Sequence, residues 1–187
     1  LLNMFDVQHP VINALPKVAA EDTVREIKRL TGRVVGINLE PVNPQAAESN
    51  EGTLWQMSHG RLATAENAVR AAEMGVDMVV LTGNPGNGVS NDAITESLRS
   101  IRAAVGDKLI LAAGKMHASG VIGEGGENIL TPNDVKAFID AGADIVLLPA
   151  PGTVPGITQE YAQRLITQIH AAGKLALTAI GTSQEGA

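Results

Sequence analysis

Five short apolar runs recur along this chain at the interval of one βα unit, and that recurrence restricts the fold more than any single motif. They are VVGINLE (34–40), MVVLTG (78–83), LILAAG (109–114), IVLLPA (145–150) and LALTAIG (175–181). Each is apolar almost throughout rather than alternating, as expected for strands of a parallel sheet covered on both faces. Amphipathic segments of helical length lie between them, at 19–31, 63–74, 91–105, 132–141 and 158–172. Thr131-Pro132-Asn133-Asp134 offers an N-cap, a proline at the first helical position and an acid two residues on. Thr158 is placed to cap the last helix, Ser90 or Asn91 an earlier one, and Ala172-Gly173-Lys174 to stop the last.

Strand starts spaced by roughly 30 to 45 residues match the size of βα units. An internal echo supports repetition: MGVDMVVLTGNPG (74–86) resembles AGADIVLLPAPG (141–152). Right-handed βα repetition gives a doubly wound sheet or a (β/α)8 barrel. The helix-Gly-x-Asp-strand pattern in two units, and no GxGxxG after a first strand, favour an α/β fold of the (β/α)8 TIM type. LLNMFD at 1–6 reads as a sixth strand, and a complete barrel takes about 250 residues. The expectation is therefore a single barrel domain over 1–187, a fragment covering about strands 2 to 7 and incomplete at both ends. Its two open sheet edges would need cover.

A net charge of −6 argues against nucleic acid or an anionic membrane as the main partner. No apolar stretch reaches the roughly 18 residues of a membrane span. With no cysteine, thiolate nucleophiles and zinc–thiolate sites are excluded. Aromatic residues make up 2% of the chain, which is poor material for stacking nucleobases. A cytoplasmic protein is expected, binding a small-molecule anion and forming a homo-oligomer.

In a barrel, catalysis sits at the C-terminal ends of the strands and in the loops after them. Those positions hold Asp6, Gln8 and His9, then Asn38 and Glu40, Thr82 and Asn84, Lys115 and His117, and lastly Thr178, Thr182, Ser183, Gln184 and Glu185. The opposite ends carry Asp77, Lys108, Asp144 and Lys174. Lys115 can act as a Schiff-base nucleophile, as a fixed positive charge for a carboxylate, phosphate or enolate, or as a strand-end lysine reaching water. Strand alternation would put His117 on the same side. Asp6 and Glu40 end neighbouring strands, so their carboxylates could converge on magnesium, which takes oxygen ligands and keeps several waters. Each could equally cap a helix or pair with Lys or Arg. Gly181, Thr182 and Ser183 suit a phosphate, and GNPGNGVSN (83–91) is a second candidate anion loop. Asn38 and Asn84 are candidate substrate contacts. The loop from Glu40 to Ala63, with Trp55, His59 and Arg61, reads as a lid or a subunit contact.

Through NMFDVQHP, GINLEP, LTGNPGNGVSND, AAGKMHASG, LLPAPGTVPGIT and TAIGTSQEGA the chain resembles a family of bacterial (β/α)8-barrel proteins labelled phosphoenolpyruvate phosphomutase-like or haloacid-dehalogenase-like hydrolase. The first label implies strand-end carboxylates around magnesium and an oxyacid substrate. The second implies an Asp-x-Asp nucleophile motif, which does not occur here.

These readings converge on a barrel enzyme for a small oxyacid or phosphorylated metabolite, working at a carbon–carbon or carbon–phosphorus bond through a stabilised enolate. Lys115 would supply positive charge, His117 acid/base chemistry, Asp6 and Glu40 a metal. The alternatives are a Schiff-base aldolase at Lys115, a metal-dependent hydrolase, and a non-catalytic barrel that binds a metabolite or a partner protein.

Overall fold

Hydrophobic periodicity and capping translate directly into the observed elements. The computed structural model describes residues 1–13, 15–42, 57–83, 89–114, 130–151 and 157–179. Within them run five strands, β1 (Gly36–Leu39), β2 (Met78–Leu81), β3 (Ile110–Ala113), β4 (Ile145–Pro149) and β5 (Leu175–Ala179). The helices are α1 (Thr23–Thr31), α2 (Ala65–Glu73), α3 (Asn91–Val105), α4 (Pro132–Asp140) and α5 (Gln159–Ala171). The strands form one parallel sheet in the order β1-β2-β3-β4-β5. Sequential parallel order is the arrangement of a barrel segment and excludes a doubly wound sheet, whose strand order reverses.

Four helices start on a hydroxyl that accepts the N–H three residues on: Thr64 from Asn67, Ser90 from Ala93, Thr131 from Asp134 and Thr158 from Tyr161. At Thr131 the Asp134 carboxylate also accepts the Thr131 N–H, completing a capping box.

Register assigns the two faces of the sheet. Ile37, Leu39, Val79, Leu81, Leu111, Ala113, Val146 and Leu148 face one way and belong to the core with Ile94, Leu98, Ile101, Phe138, Leu165 and Ile169 of the helices. Asn38, Val80, Ala112, Leu147 and Leu177 alternate with them and line the other face, where a barrel has its lumen. Ile110, Leu175 and Leu177, all of this second set, are exposed.

The internal echo is a repeated clamp at the N-terminal ends of the strands. The Asp77 carboxylate accepts the Val35 N–H at 2.7 Å and pairs with Lys28 of α1, whose ammonium also donates to the Gly75 carbonyl. Two βα units later, Asp144 accepts the Leu111 N–H at 3.0 Å and pairs with Arg102 of α3, which donates to the Gly142 carbonyl. Lys174 adds a second cation at 3.3 Å from Asp144. Gly75 and Gly142 sit at φ +91 and +109, where an L side chain is strained, which explains the glycine in both copies. Burial opposes ionisation of Asp77 and Asp144, but the hydrogen bonds and cations outweigh it and hold both carboxyls below the ordinary 3.8. This end of the sheet is thus committed to holding strands together.

The segment expected as a sixth strand forms a single bridge, Leu2 to Ile37, with the Leu2 N–H donating to the Gly36 carbonyl. The chain then turns at Asn3 and Met4, the latter at φ 59. Four residues on, the same edge of β1 is taken by another segment: Glu40 N–H donates to the Arg61 carbonyl and Ala63 N–H to the Glu40 carbonyl. A ladder along 1–6 would compete for that edge.

Candidate functional site

Polar side chains at the opposite, C-terminal end of the sheet are organised around Glu40. Continuing the alternation of β1 puts Glu40 on the face of Asn38, and both are buried, at 7% and 8% exposed. The Glu40 carboxylate receives the Arg61 Nη2 donor on Oε1 at 2.5 Å. Burial holds the Glu40 carboxyl above the ordinary 4.5 even though the Arg61 guanidinium pulls the other way. Arg61 Nε is buried and has no hydrogen-bond partner among the described residues. Gly83 follows β2 here, and a Cβ on it would lie 2.7 Å from Val89 Cγ2 and 3.2 Å from Glu40 Oε2, so a glycine lets the chain pass the carboxylate.

Arg61 is placed by a scaffold that ties three segments together. The 3-10 turn at His59–Arg61 is clasped by Asn67 of α2, whose amide donates to the His59 and Leu62 carbonyls at 2.7 and 2.9 Å. The Gln8 side-chain amide donates to Asn67 Oδ1, Val7 N–H to the Gly60 carbonyl, and Arg70 Nε to the Val7 carbonyl. Asp6 finishes the assembly by accepting the Gln8 and His9 N–H groups on Oδ1 at 2.8 and 2.9 Å. Burial raises the Asp6 carboxyl, but hydrogen bonds from Ser58, His9 and Gln8 outweigh it and keep the group below the ordinary 3.8. His9 itself is exposed, its Nδ1 3.6 Å from Asp6 Oδ2.

Of the residues singled out in the sequence, Asn38 and Glu40 share one face, and Asp6 lies in the scaffold beside them. Lys115, His117, Asn84, Gly181, Thr182 and Ser183 lie outside the described residues, as do Trp55 and most of the loop that contains it. The sequence places Arg61 in the loop expected as a lid or a subunit contact, and it does not mark Gly60 or Asn67 as site components. Their only signal is position, in the last residues before the Thr64 cap and in the first turn of α2.

Magnesium can be tested against the donors present. Asp6 and Glu40 are hard oxygen ligands of the right kind. Asp6, however, is engaged by two backbone N–H groups and Ser58, and Glu40 by a guanidinium. Among the described residues no cluster of three or more His, Asp or Glu could hold a metal. Among the described residues the orphaned atom beside Glu40 is a proton donor, which calls for an acceptor and not for a cation. The described donor set therefore does not fit magnesium.

A family model described as a domain of unknown function (DUF7916) matches residues 1–187. No curated protein matches the chain. Among solved structures, a lyase/mutase from Burkholderia cenocepacia is similar at a TM-score of 0.54 and 22% identity, over 89% of this chain and 53% of its own. A 2,3-dimethylmalate lyase, described as a PEP mutase/isocitrate lyase superfamily member, matches at 0.54 and 15% identity, over 88% of this chain and 50% of its own. A phosphonopyruvate hydrolase in complex with oxalate and magnesium matches at 0.52 and 12%, over 92% and 62%. The chain thus spans about half the length of the solved structures it matches, and identities this low speak to the fold alone.

Proposed function

The chain belongs to the DUF7916 family, and from the geometry at its strand ends we propose that it is a barrel enzyme for a small oxyacid or phosphorylated metabolite. The observation that carries this reading is the contrast between the two ends of the sheet. At the N-terminal ends the charges of Asp77 and Asp144 are spent on strand N–H groups and on paired cations. At the C-terminal ends buried Glu40 and Asn38 share the lumen face, Glu40 pairs with the half-buried Arg61, and the buried Nε of that guanidinium has no acceptor among the described residues. Polar groups held on rigid elements at that end are what barrel chemistry uses.

In this reading Lys115 adds positive charge for an enolate or an anionic group, His117 handles a proton, and Asn38 and Asn84 orient the substrate. Gly181, Thr182 and Ser183 cradle an anion after β5. Carbon–carbon or carbon–phosphorus bond chemistry is favoured by the fold neighbours described as a lyase/mutase and a lyase, while the phosphonopyruvate hydrolase keeps hydrolysis as the alternative. A magnesium-dependent form needs a donor from outside the described residues. The reading keeps the cytoplasmic location and the homo-oligomeric state expected from the sequence; separately, among the described residues no helix is long and apolar enough to cross a membrane.

The test is a thermal-shift screen with small oxyacids and phosphorylated sugars, each in magnesium and in chelator. Stabilisation by one class, reduced in Lys115→Met, supports the enzyme reading. Equal stabilisation of wild type and Lys115→Met without turnover supports a non-catalytic binder, and no shift with any compound refutes a small-anion site.

A further inference from the structure

The unspent donor beside Glu40 says what kind of ligand the site takes, an inference that rests on the reading above and narrows it. Arg61 is held at its Nη2 by Glu40, with the two side chains 17% and 9% exposed. Its backbone is pinned from both sides, by the Glu40 N–H on its carbonyl and by its own N–H on the Ser58 carbonyl. The guanidinium is therefore preorganised, and its Nε–H is buried with no acceptor among the described residues. A buried donor left unpaired is costly, and an incoming acceptor removes that cost. The feature it lacks is a lone pair.

We propose that Arg61 is the anion-binding residue of this site, its Nε–H taking a carboxylate oxygen of the substrate. Glu40 is its positioning residue. A planar guanidinium recognises a carboxylate edge by direction as well as by charge, which a lysine ammonium does not reproduce. The substrate class this selects is a small carboxylate, bound without a metal at Glu40. Gly83 keeps the chain clear of the same carboxylate, since a Cβ there would crowd Glu40 Oε2.

Oxalate is the probe, titrated calorimetrically into wild type, Arg61→Lys and Arg61→Met, with magnesium and with chelator. The expected result is binding that survives chelation and falls at least tenfold in Arg61→Lys although the charge is kept. Binding only with magnesium, or an Arg61→Lys affinity within twofold of wild type, overturns the proposal and leaves the oxyacid reading standing. No binding in either condition overturns this proposal, and the screen above then decides separately whether the wider reading survives. Should both Arg61 variants fail to fold, the Arg61 Nε–H resonance of the wild-type protein answers the same question. A shift on oxalate addition supports the proposal, and an unmoved resonance under saturating oxalate refutes it. Glu40→Gln, which keeps an acceptor for Nη2, retains that shift, whereas Glu40→Ala loses it; equal behaviour of the two removes Glu40 from the role.

Discussion

Replacing Gly60 by alanine probes the strand-end scaffold at its tightest point. A Cβ at this position would lie 1.8 Å from Asp6 Oδ1, 2.7 Å from Asp6 Cγ and 2.8 Å from the Gln8 backbone nitrogen. The carboxylate has to retreat by more than an ångström, which breaks its hydrogen bonds to the Gln8 and His9 N–H groups. Hydrogen bonds to a charged group contribute about 1.5–3 kcal/mol each, and forcing atoms into a filled space costs about 1–3 kcal/mol. The terms overlap, so a loss of about 3 kcal/mol is expected, which for a chain of this length lowers Tm by about 6–12 °C. Thermal unfolding followed by circular dichroism measures it. On an Asp6→Ala background the same substitution should cost markedly less, because its two shortest contacts are gone. A Tm drop below about 2 °C, or the same cost on both backgrounds, would refute the claim that Gly60 exists to admit the Asp6 carboxylate.

Two further outcomes follow from the charged groups at either end of the sheet. Asp144→Asn loosens the clamp on Leu111, Arg102 and Lys174 and should cost about 1–2 kcal/mol at neutral pH, the low end because Asp144 is a third exposed. The folded carboxyl lies below the ordinary 3.8, so its contribution is complete above that pH and is lost as pH falls through the folded value; urea unfolding of the two proteins should converge in acid. Glu40 has the opposite sign. Its folded carboxyl lies above 4.5, so this group makes the protein less stable as pH rises from 4.5 through the raised value, and Glu40→Gln should flatten that part of the profile. An unchanged slope in urea unfolding across that window would show that Glu40 does not titrate as a buried acid.

The strands were legible because each apolar run is the length of one buried strand and is bounded by polar or glycine residues. The helices were legible because Thr64, Ser90, Thr131 and Thr158 are local caps whose effect spans only three residues. The Gly-x-Asp echo was visible as a pattern, but its meaning was not. The partner N–H groups on Val35 and Leu111 are 42 and 33 residues from the aspartates that bind them. The first segment misled for a related reason. LLNMFD has strand composition, yet strand formation needs a free edge, and beside Glu40 that edge belongs to Arg61–Ala63.

The amino-acid sequence by itself determined the βα repetition and the order of the elements, because periodicity and capping act over a few residues. The tertiary structure alone decided which charges meet. It set Arg61 against Glu40 across 21 residues of chain, and it turned Asp6 onto backbone N–H groups that its own turn supplies. Side-chain charge can be read at every position in a sequence, but its partner is fixed by how distant segments pack, and at Glu40 that partner is the Arg61 guanidinium.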